Sequence, residues 1–198
     1  MGAQSTLATG WGLADNVRGV VELIPRKVLF GNPDREWPAV SPDGGRVAYL
    51  APVDGVLNVW VGGADGEDAR PVTADADRGI RTYFWADDGR HLVYLQDTGG
   101  DEDWHVHVVD PDSGDVRDVT PFTGVQGRII GRSRRRPEEL LVALNRRNAQ
   151  LHDVYRLDLA SGGLDQVAEN PGYVDWLVDN ELRPRGGMRM AEDGSVTL

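Results

Sequence analysis

The chain has 198 residues, 40% apolar and 27% charged, with 25 glycines, 11 prolines and no cysteine; this is globular composition, and it excludes disulfides, thiolate metal centres and a cysteine nucleophile. A net charge of −11 repels nucleic acid and anionic lipid, so neither is expected as a partner. No apolar run approaches the roughly 18 residues of a membrane span, and the first residues lack the layout of a secretion signal, so a cytoplasmic protein is expected.

Residues 1–34 read as an N-terminal lead segment. Met1-Gly2-Ala3-Gln4-Ser5-Thr6 fits the loose myristoylation pattern, which is short and built of common residues. Between Val20 and Phe30, Pro25 is expected to interrupt any helix. From residue 35 onward the chain repeats itself. Trp37-Pro38-Ala39-Val40-Ser41-Pro42-Asp43-Gly44 leads into Arg46-Val47-Ala48-Tyr49-Leu50, and Tyr83-Phe84-Trp85-Ala86-Asp87-Asp88-Gly89 leads into Leu92-Val93-Tyr94-Leu95. Asp43-Gly44 and Asp88-Gly89 are 45 residues apart, as are Tyr49 and Tyr94. The match extends from Leu57–Val61 to Trp104–Asp110, and from Pro71-Val72-Thr73 to Asp118-Val119-Thr120.

A third, more worn copy runs through Gly127–Gly131, Glu139–Leu144, His152–Asp158 and Leu164–Val167, and a fourth opens at Tyr173–Val178. Each copy holds short runs rich in Val, Leu, Tyr and Trp, which suit a pleated, partly buried surface. Asp-Gly between two such runs signals a hairpin. Four strands in about 45 residues is the blade period of a β-propeller. A β-sandwich also has many short strands, but gives no reason for the same turn residues to recur at one period. The expected fold is all-β: a partial β-propeller over 35–198, with three four-stranded blades at about 35–75, 81–122 and 126–169 and the start of a fourth at 172–198.

Ser41-Pro42-Asp43-Gly44 followed by Arg46-Val47-Ala48-Tyr49 resembles the TolB-type propeller repeat. Ile24–Pro33, Asp54–Val61, Asp77–Arg81 and Leu151–Leu159 together resemble the N-terminal propeller of bacterial serine peptidases of the prolyl oligopeptidase family, nearest to the acylaminoacyl-peptidase and dipeptidyl-aminopeptidase branch. The resemblance covers residues 22–198. It implies a propeller that precedes an α/β-hydrolase domain with a Ser, Asp and His triad, and that admits only short or unfolded peptides to it. The chain departs from that family in having no Gly-x-Ser-x-Gly elbow. Gly131-Arg132-Ser133-Arg134-Arg135 comes nearest, but lacks the final glycine and the small neighbours that the strained turn needs. No catalytic, cofactor-binding or metal-binding residue is carried over, no cofactor is implied, and the chain is expected to be inactive alone. Because it stops within its fourth copy, it reads as a partial product of a longer gene.

Other clusters have a sharp and a plain reading. His105 and His107 alternate on one strand face, but no further ligand is fixed by spacing, and ordinary strand positions are favoured. Asp101-Glu102-Asp103 would suit a peptide amino terminus if it faced a central channel; a solvated turn between second and third strands is favoured. Arg132, Arg134, Arg135 and Arg136 form the basic cluster, read as an exposed loop in place of the Asp-Gly turn. Trp37, Trp85, Trp104 and Trp176 would suit a ligand-stacking set, but Trp37, Trp85 and Trp176 recur near the first strand of a blade, which favours packing between blades.

Two functions compete. The first is a non-catalytic propeller that gates peptide access to a hydrolase domain absent from the chain. The second is a stand-alone scaffold binding a protein or peptide, completed by dimerisation. Since about four to eight blades close a ring, terminal faces left bare are expected to promote self-association.

Overall fold

The computed structural model describes residues 23–31 and 34–198. The myristoylation-like Met1–Thr6 and the start of the lead segment lie outside the described residues. The chain divides into a unit ending at Gly31 and a unit running from Asn32 to Leu198.

In the first unit, Arg26–Phe30 form a single helical turn, α1. The Pro25 carbonyl accepts from the N–H groups of Val28 (2.9 Å) and Leu29 (3.4 Å). Pro25 therefore opens the helix instead of interrupting it. At a helix start its missing N–H is not needed and its fixed φ is already helical.

The second unit is all-β, built of four antiparallel sheets whose strands are neighbours in chain order. The first holds β1 (Glu36–Val40), β2 (Arg46–Val53), β3 (Val56–Gly63) and β4 (Arg70–Pro71). The second holds β5 (Tyr83–Trp85), β6 (Leu92–Gln96), β7 (His105–Asp110) and β8 (Asp115–Asp118). The third holds β9 (Gly127–Arg132), β10 (Glu139–Asn148), β11 (Leu151–Asp158) and β12 (Leu164–Ala168). The fourth has three strands, β13 (Asp175–Val178), β14 (Pro184–Met190) and β15 (Val196–Thr197). No helix of the described residues is long and apolar enough to cross a membrane.

The repeated residues do the same work in successive sheets. After β1, the Gly44 N–H donates to the Ser41 carbonyl (2.8 Å); after β5, the Gly89 N–H donates to the Ala86 carbonyl (3.2 Å). Both glycines sit in the left-handed region, at φ 77° and 73°, where a side chain would be strained. Asp43 and Asp88 accept from backbone N–H groups within the turn. The hairpin loop is thus longer than the two-residue Asp-Gly turn suggests, and Asp-Gly forms its second half. In the fourth sheet the corresponding turn runs from Asp179 to Leu182, and Leu182 takes the left-handed conformation at φ 54°. Its side chain is fully buried, and burying a leucine (about 1.5–3 kcal/mol) offsets a backbone cost of about 1–2 kcal/mol.

Third and fourth strands are joined by a second repeated device. The Val59 N–H donates to Thr73 Oγ1 (2.9 Å), and the Val106 N–H donates to Thr120 Oγ1 (2.8 Å). One residue earlier, the Val72 and Val119 N–H groups reach the Val59 and Val106 carbonyls. The threonine hydroxyl thus continues the ladder for one more bond after the short fourth strand ends.

The core lies between the sheets. Ala48, Leu50, Val59 and Val61 of the first sheet meet Trp85, Leu92, Tyr94 and Val109 of the second. Val93, Val106 and Val108 meet Leu140, Val142, Leu144, Tyr155 and Leu157 of the third. Leu141 and Val154, on the other face of the third sheet, meet Leu182 and the partly buried Trp176 and Val178 of the fourth. This explains the near-continuous apolar runs in β6 and β10: strands covered on both faces need not alternate.

Replacing Thr120 by valine keeps the shape but leaves the buried Val106 N–H without an acceptor, which costs about 1–3 kcal/mol. Urea unfolding is expected to show that loss for Thr120→Val, and less than half of it for Thr120→Ser, which keeps the hydroxyl.

Candidate functional site

The first strands of neighbouring sheets approach one another. β1 contacts β5, and β9 contacts β13. The Tyr83 hydroxyl donates to the Trp37 carbonyl (2.6 Å), and Trp85 Nε1 to the Ala39 carbonyl (3.2 Å), tying β5 to β1. Several clefts open along this first-strand rim. One of about 470 Å³ opens between β5–β6 and β9, walled by Tyr83, Phe84, Tyr94 and Ile130. Another of about 410 Å³ lies between the third and fourth sheets, at His152, Tyr173, Asp175 and Trp176.

The serine nearest to an elbow motif, Ser133, lies in the turn from β9 to β10, a strand–turn–strand setting. It is buried; its Oγ donates to the Asn180 carbonyl (2.6 Å) and accepts from the Arg135 N–H (3.2 Å). Its hydroxyl holds the turn and the next sheet together, and the neighbouring turn residues are bulky arginines.

His105 and His107 share a face of β7 but not a ligand geometry. His105 Nδ1 is 2.7 Å from Asp118 Oδ2, and the His107 ring stacks on Tyr94 at 4.7 Å between centroids. Burial pushes the His107 imidazole below the usual range, against the pull of Asp118. Burial also pushes the Tyr94 phenol up to about 12, aided by Asp75 and Asp118. Asp101-Glu102-Asp103 lie in the loop between β6 and β7, the solvated turn position; Asp101 Oδ1 accepts from the Thr98 and Asp103 N–H groups.

The arginine cluster lies in the turn between β9 and β10, the exposed loop expected in place of the Asp-Gly turn. It is exposed, with Arg134 93% and Arg135 68% accessible at the side chain, but its cations reach the acids of other elements. Arg135 pairs with Glu181 at 2.9 Å, Arg136 with Glu139 at 3.6 Å and Glu181 at 4.0 Å, and Arg134 with Asp87 at 4.0 Å. The loop spans from the second sheet to the fourth. Only Arg132 of the cluster faces an aromatic ring, 5.1 Å over Phe84.

The tryptophans are not equivalent. Trp85 stands directly before the turn after β5 and is buried between sheets. Trp176 lies further back in β13, half-buried, with Nε1 donating to the His152 carbonyl (2.9 Å). Trp37 is exposed, at φ 52°, in β1. The residue of β1 that matches Trp85 is Val40, itself 63% exposed. The first sheet has no preceding sheet among the described residues, so nothing covers this edge, and the shared residue type hid three different positions.

His152 was absent from the sequence-derived candidates. Its Nε2 is buried without a hydrogen-bond partner among the described residues, and burial, reinforced by the Arg128 charge, holds its imidazole down to about 4, against the opposing pull of Asp153. Nothing in a lone histidine before Asp153 signals this; it depends on burial in the fold and on Arg128, 24 residues earlier in the chain. A folded-state value below the unfolded one means that the unfolded chain binds the proton more readily. The contribution of neutral His152 is therefore full above about 6.5 and is lost as pH falls toward 4.

No family model matches the chain. It is 43% identical over 187 residues to dipeptidyl aminopeptidase BIII of Pseudoxanthomonas mexicana, covering 93% of this chain and 27% of that protein. It is 26% identical over 184 residues to dipeptidyl peptidase family member 6 of Caenorhabditis elegans, covering 89% of this chain and 25% of that protein. The chain thus spans about a quarter of the length of these relatives. Among solved structures it is similar to the β-propeller domain of the Trilobed protease from Pyrococcus furiosus (TM-score 0.52, 17% identity, 73% of this chain and 45% of that one). It is also similar to the acylaminoacyl peptidase of Pyrococcus horikoshii (TM-score 0.50, 18% identity, 75% and 26%). Its homologues are peptidases of the dipeptidyl aminopeptidase and prolyl oligopeptidase type, and its fold is that of their propeller domains.

A His152→Gln variant is expected to melt with a flatter pH dependence than the native chain between pH 6.5 and 4. Thermal melts across that window check it; parallel curves for the two proteins would show that His152 titrates as it does in the unfolded chain.

Proposed function

We propose that residues 35–198 are the propeller portion of a serine peptidase, three blades and the first strands of a fourth, and that they gate peptide access to a hydrolase domain carried elsewhere in the same protein. The observation that carries this reading is the 43% identity to dipeptidyl aminopeptidase BIII over nearly the whole chain. The geometry agrees with it. The first strands converge on one rim, as gating requires, while Ser133, the nearest approach to a nucleophile motif, is committed to holding a turn. Gating then depends on how firmly the sheets hold together, because a peptide too large for the rim enters only if sheets part. Arg117, whose guanidinium spans from the second sheet to the Ala160 (2.9 Å) and Leu159 (2.6 Å) carbonyls of the third, is one such tie. The substrates under this reading are short or unfolded peptides.

The gene downstream of the Leu198 codon tests the reading first. An open frame reaching a Gly-x-Ser-x-Gly elbow followed by Asp and His is expected. In that enzyme, Arg117→Gln is expected to raise turnover of a small folded protein several-fold while leaving kcat/KM for a dipeptidyl chromogenic substrate within about twofold, a change of under ~0.5 kcal/mol. A stop with no hydrolase frame, or unchanged discrimination against the folded protein in the variant, overturns it.

A further inference from the structure

The gap between the second and third sheets carries a feature that packing does not account for. The cleft between β5–β6 and β9 adjoins one of about 570 Å³ that reaches Arg81, Trp104, Gln126 and Arg128, and the two share Thr82, Leu95 and Ile129. They form one trough along the first-strand rim. Its floor is apolar: Phe84, Leu95 and Ile129 pack at the edge of the core between these sheets.

Its walls are cationic. Arg81 is exposed and has no acid, carbonyl or ring partner among the described residues. Arg128 is exposed on β9 and uses Nε and Nη2 on the amide oxygen of Gln126, at 3.2 Å and 2.9 Å, with no carboxylate partner. Gln126 is held in turn, its Nε2 donating to the Glu102 carbonyl at 3.3 Å and its N–H to Asn145 Oδ1 at 2.6 Å. The Arg128 guanidinium is thereby oriented by a neutral group and keeps its charge uncompensated. The nearby acids Asp101, Glu102 and Asp103 make no ion pair with either arginine. In a chain of net charge −11, Arg81 and Arg128 at one end of this apolar trough, the latter also lining the cleft at His152, and Arg132 over Phe84 at the other, are a local reversal of the overall field.

A guanidinium fork matches a carboxylate in geometry and charge, and such pairs are stronger than neutral hydrogen bonds. An apolar floor beside it takes a neighbouring aliphatic or aromatic side chain. We propose that this trough binds a peptide carboxylate, with Arg81 and Arg128 taking the charge and Phe84, Leu95 and Ile129 taking the adjoining apolar side chain. The carboxylate is the C-terminus of a peptide, whose last side chain lies on the apolar floor. The inference goes beyond gating and stands without it, because it concerns binding by this chain and not hydrolysis.

Isothermal titration of the 198-residue chain at about 50 mM salt, where exposed charges are little screened, tests it with three probes: acetyl-Gly-Gly-Leu, its C-terminal amide, and acetyl-Gly-Glu-Leu-amide. The free acid is expected to bind and the plain amide to bind at least about tenfold more weakly. Binding by the Glu-containing amide in place of the free acid overturns the C-terminal assignment. Arg81→Gln, Arg128→Gln or both are expected to weaken the carboxylate probe about tenfold, while Arg185→Gln, the same charge change on β14, leaves it unchanged. Circular dichroism melts confirm that each variant is folded, and the acid-against-amide comparison on the native chain stands if one is not. Equal binding of acid and amides, no binding up to about 10 mM (about 2.7 kcal/mol of affinity), or binding indifferent to both arginines overturns the proposal.

Discussion

A small antiparallel sheet with apolar residues on both faces cannot stand alone in water, and everything else in this unit follows from how that surface is covered. β10 shows it most directly. Leu140, Val142 and Leu144 face the second sheet, while Leu141 faces the fourth. Neither face could be left to solvent without exposing several fully buried leucines and valines, each contributing about 1.5–3 kcal/mol by burial. The sheets therefore stabilise one another as stacked repeats do, through nearest-neighbour interfaces. Sheets two and three have such an interface on both faces. The first sheet has one toward the second, and on its other face Tyr49 and Trp60 stack on each other at 6.4 Å.

Apolar contact alone does not set how the sheets are placed, and arginine supplies much of what does. Arg46 donates to the Gly89 carbonyl (3.0 Å) and pairs with Asp112 (2.9 Å). Arg70 donates to the Pro111 carbonyl. Arg117 reaches Leu159 and Ala160, and Arg156 donates to the Leu182 carbonyl (3.2 Å). Each runs from one sheet to the next. Arg70 and Arg117 occupy the same place in the repeat, two residues before Val72 and Val119, and both cap the turn between the third and fourth strands of the following sheet. A planar group with several donors can satisfy two carbonyls at once, which a lysine ammonium does less well. This offers a physical reason for a chain whose cations are all arginine except Lys27.

The strands and turns were legible because the features that encode them are local. Asp-Gly marks a backbone position that disfavours a Cβ, and Thr73 and Thr120 recur because a short fourth strand needs one further acceptor. What was not legible depended on neighbours distant in sequence. Three tryptophans looked like one repeated position, but their roles depend on which sheet lies opposite, and Trp37 has none among the described residues. The arginine loop was legible as an exposed loop, but its ion pairs were not, because Asp87 and Glu181, its partners, lie 47 residues before and 47 after Arg134. The turn at Leu182 carried no glycine, since burial substitutes there for conformational freedom. Of the site, the repeat placed the strands that form it, whereas the clefts along the first strands, the exposed state of Arg81 and the burial of His152 Nε2 required the packing.

Net charge proved a poor guide to the rim for a related reason. It averages over the surface, whereas what a ligand meets is what remains after internal pairing. Ten of the described arginines lie within 4.0 Å of a carboxylate, in their own sheet or the next, and each such pair largely cancels its own field. The solvated acids of turns such as Asp101–Asp103 set the overall sign. Arg81 and Arg128 escape pairing because they sit where two sheets part, at the first-strand edge, and because the residue that orients Arg128 is an amide. β9 can approach the second sheet there only because Gly127 has no side chain: a Cβ would lie 2.8 Å from the Trp104 carbonyl, which accepts the Gly127 N–H. That close approach lays Ile129 beside Leu95 and brings Arg128 to the same trough as Arg81. The binding character of the rim thus comes from a backbone contact that fixes where β9 lies, and from the charges that no other part of the fold has used.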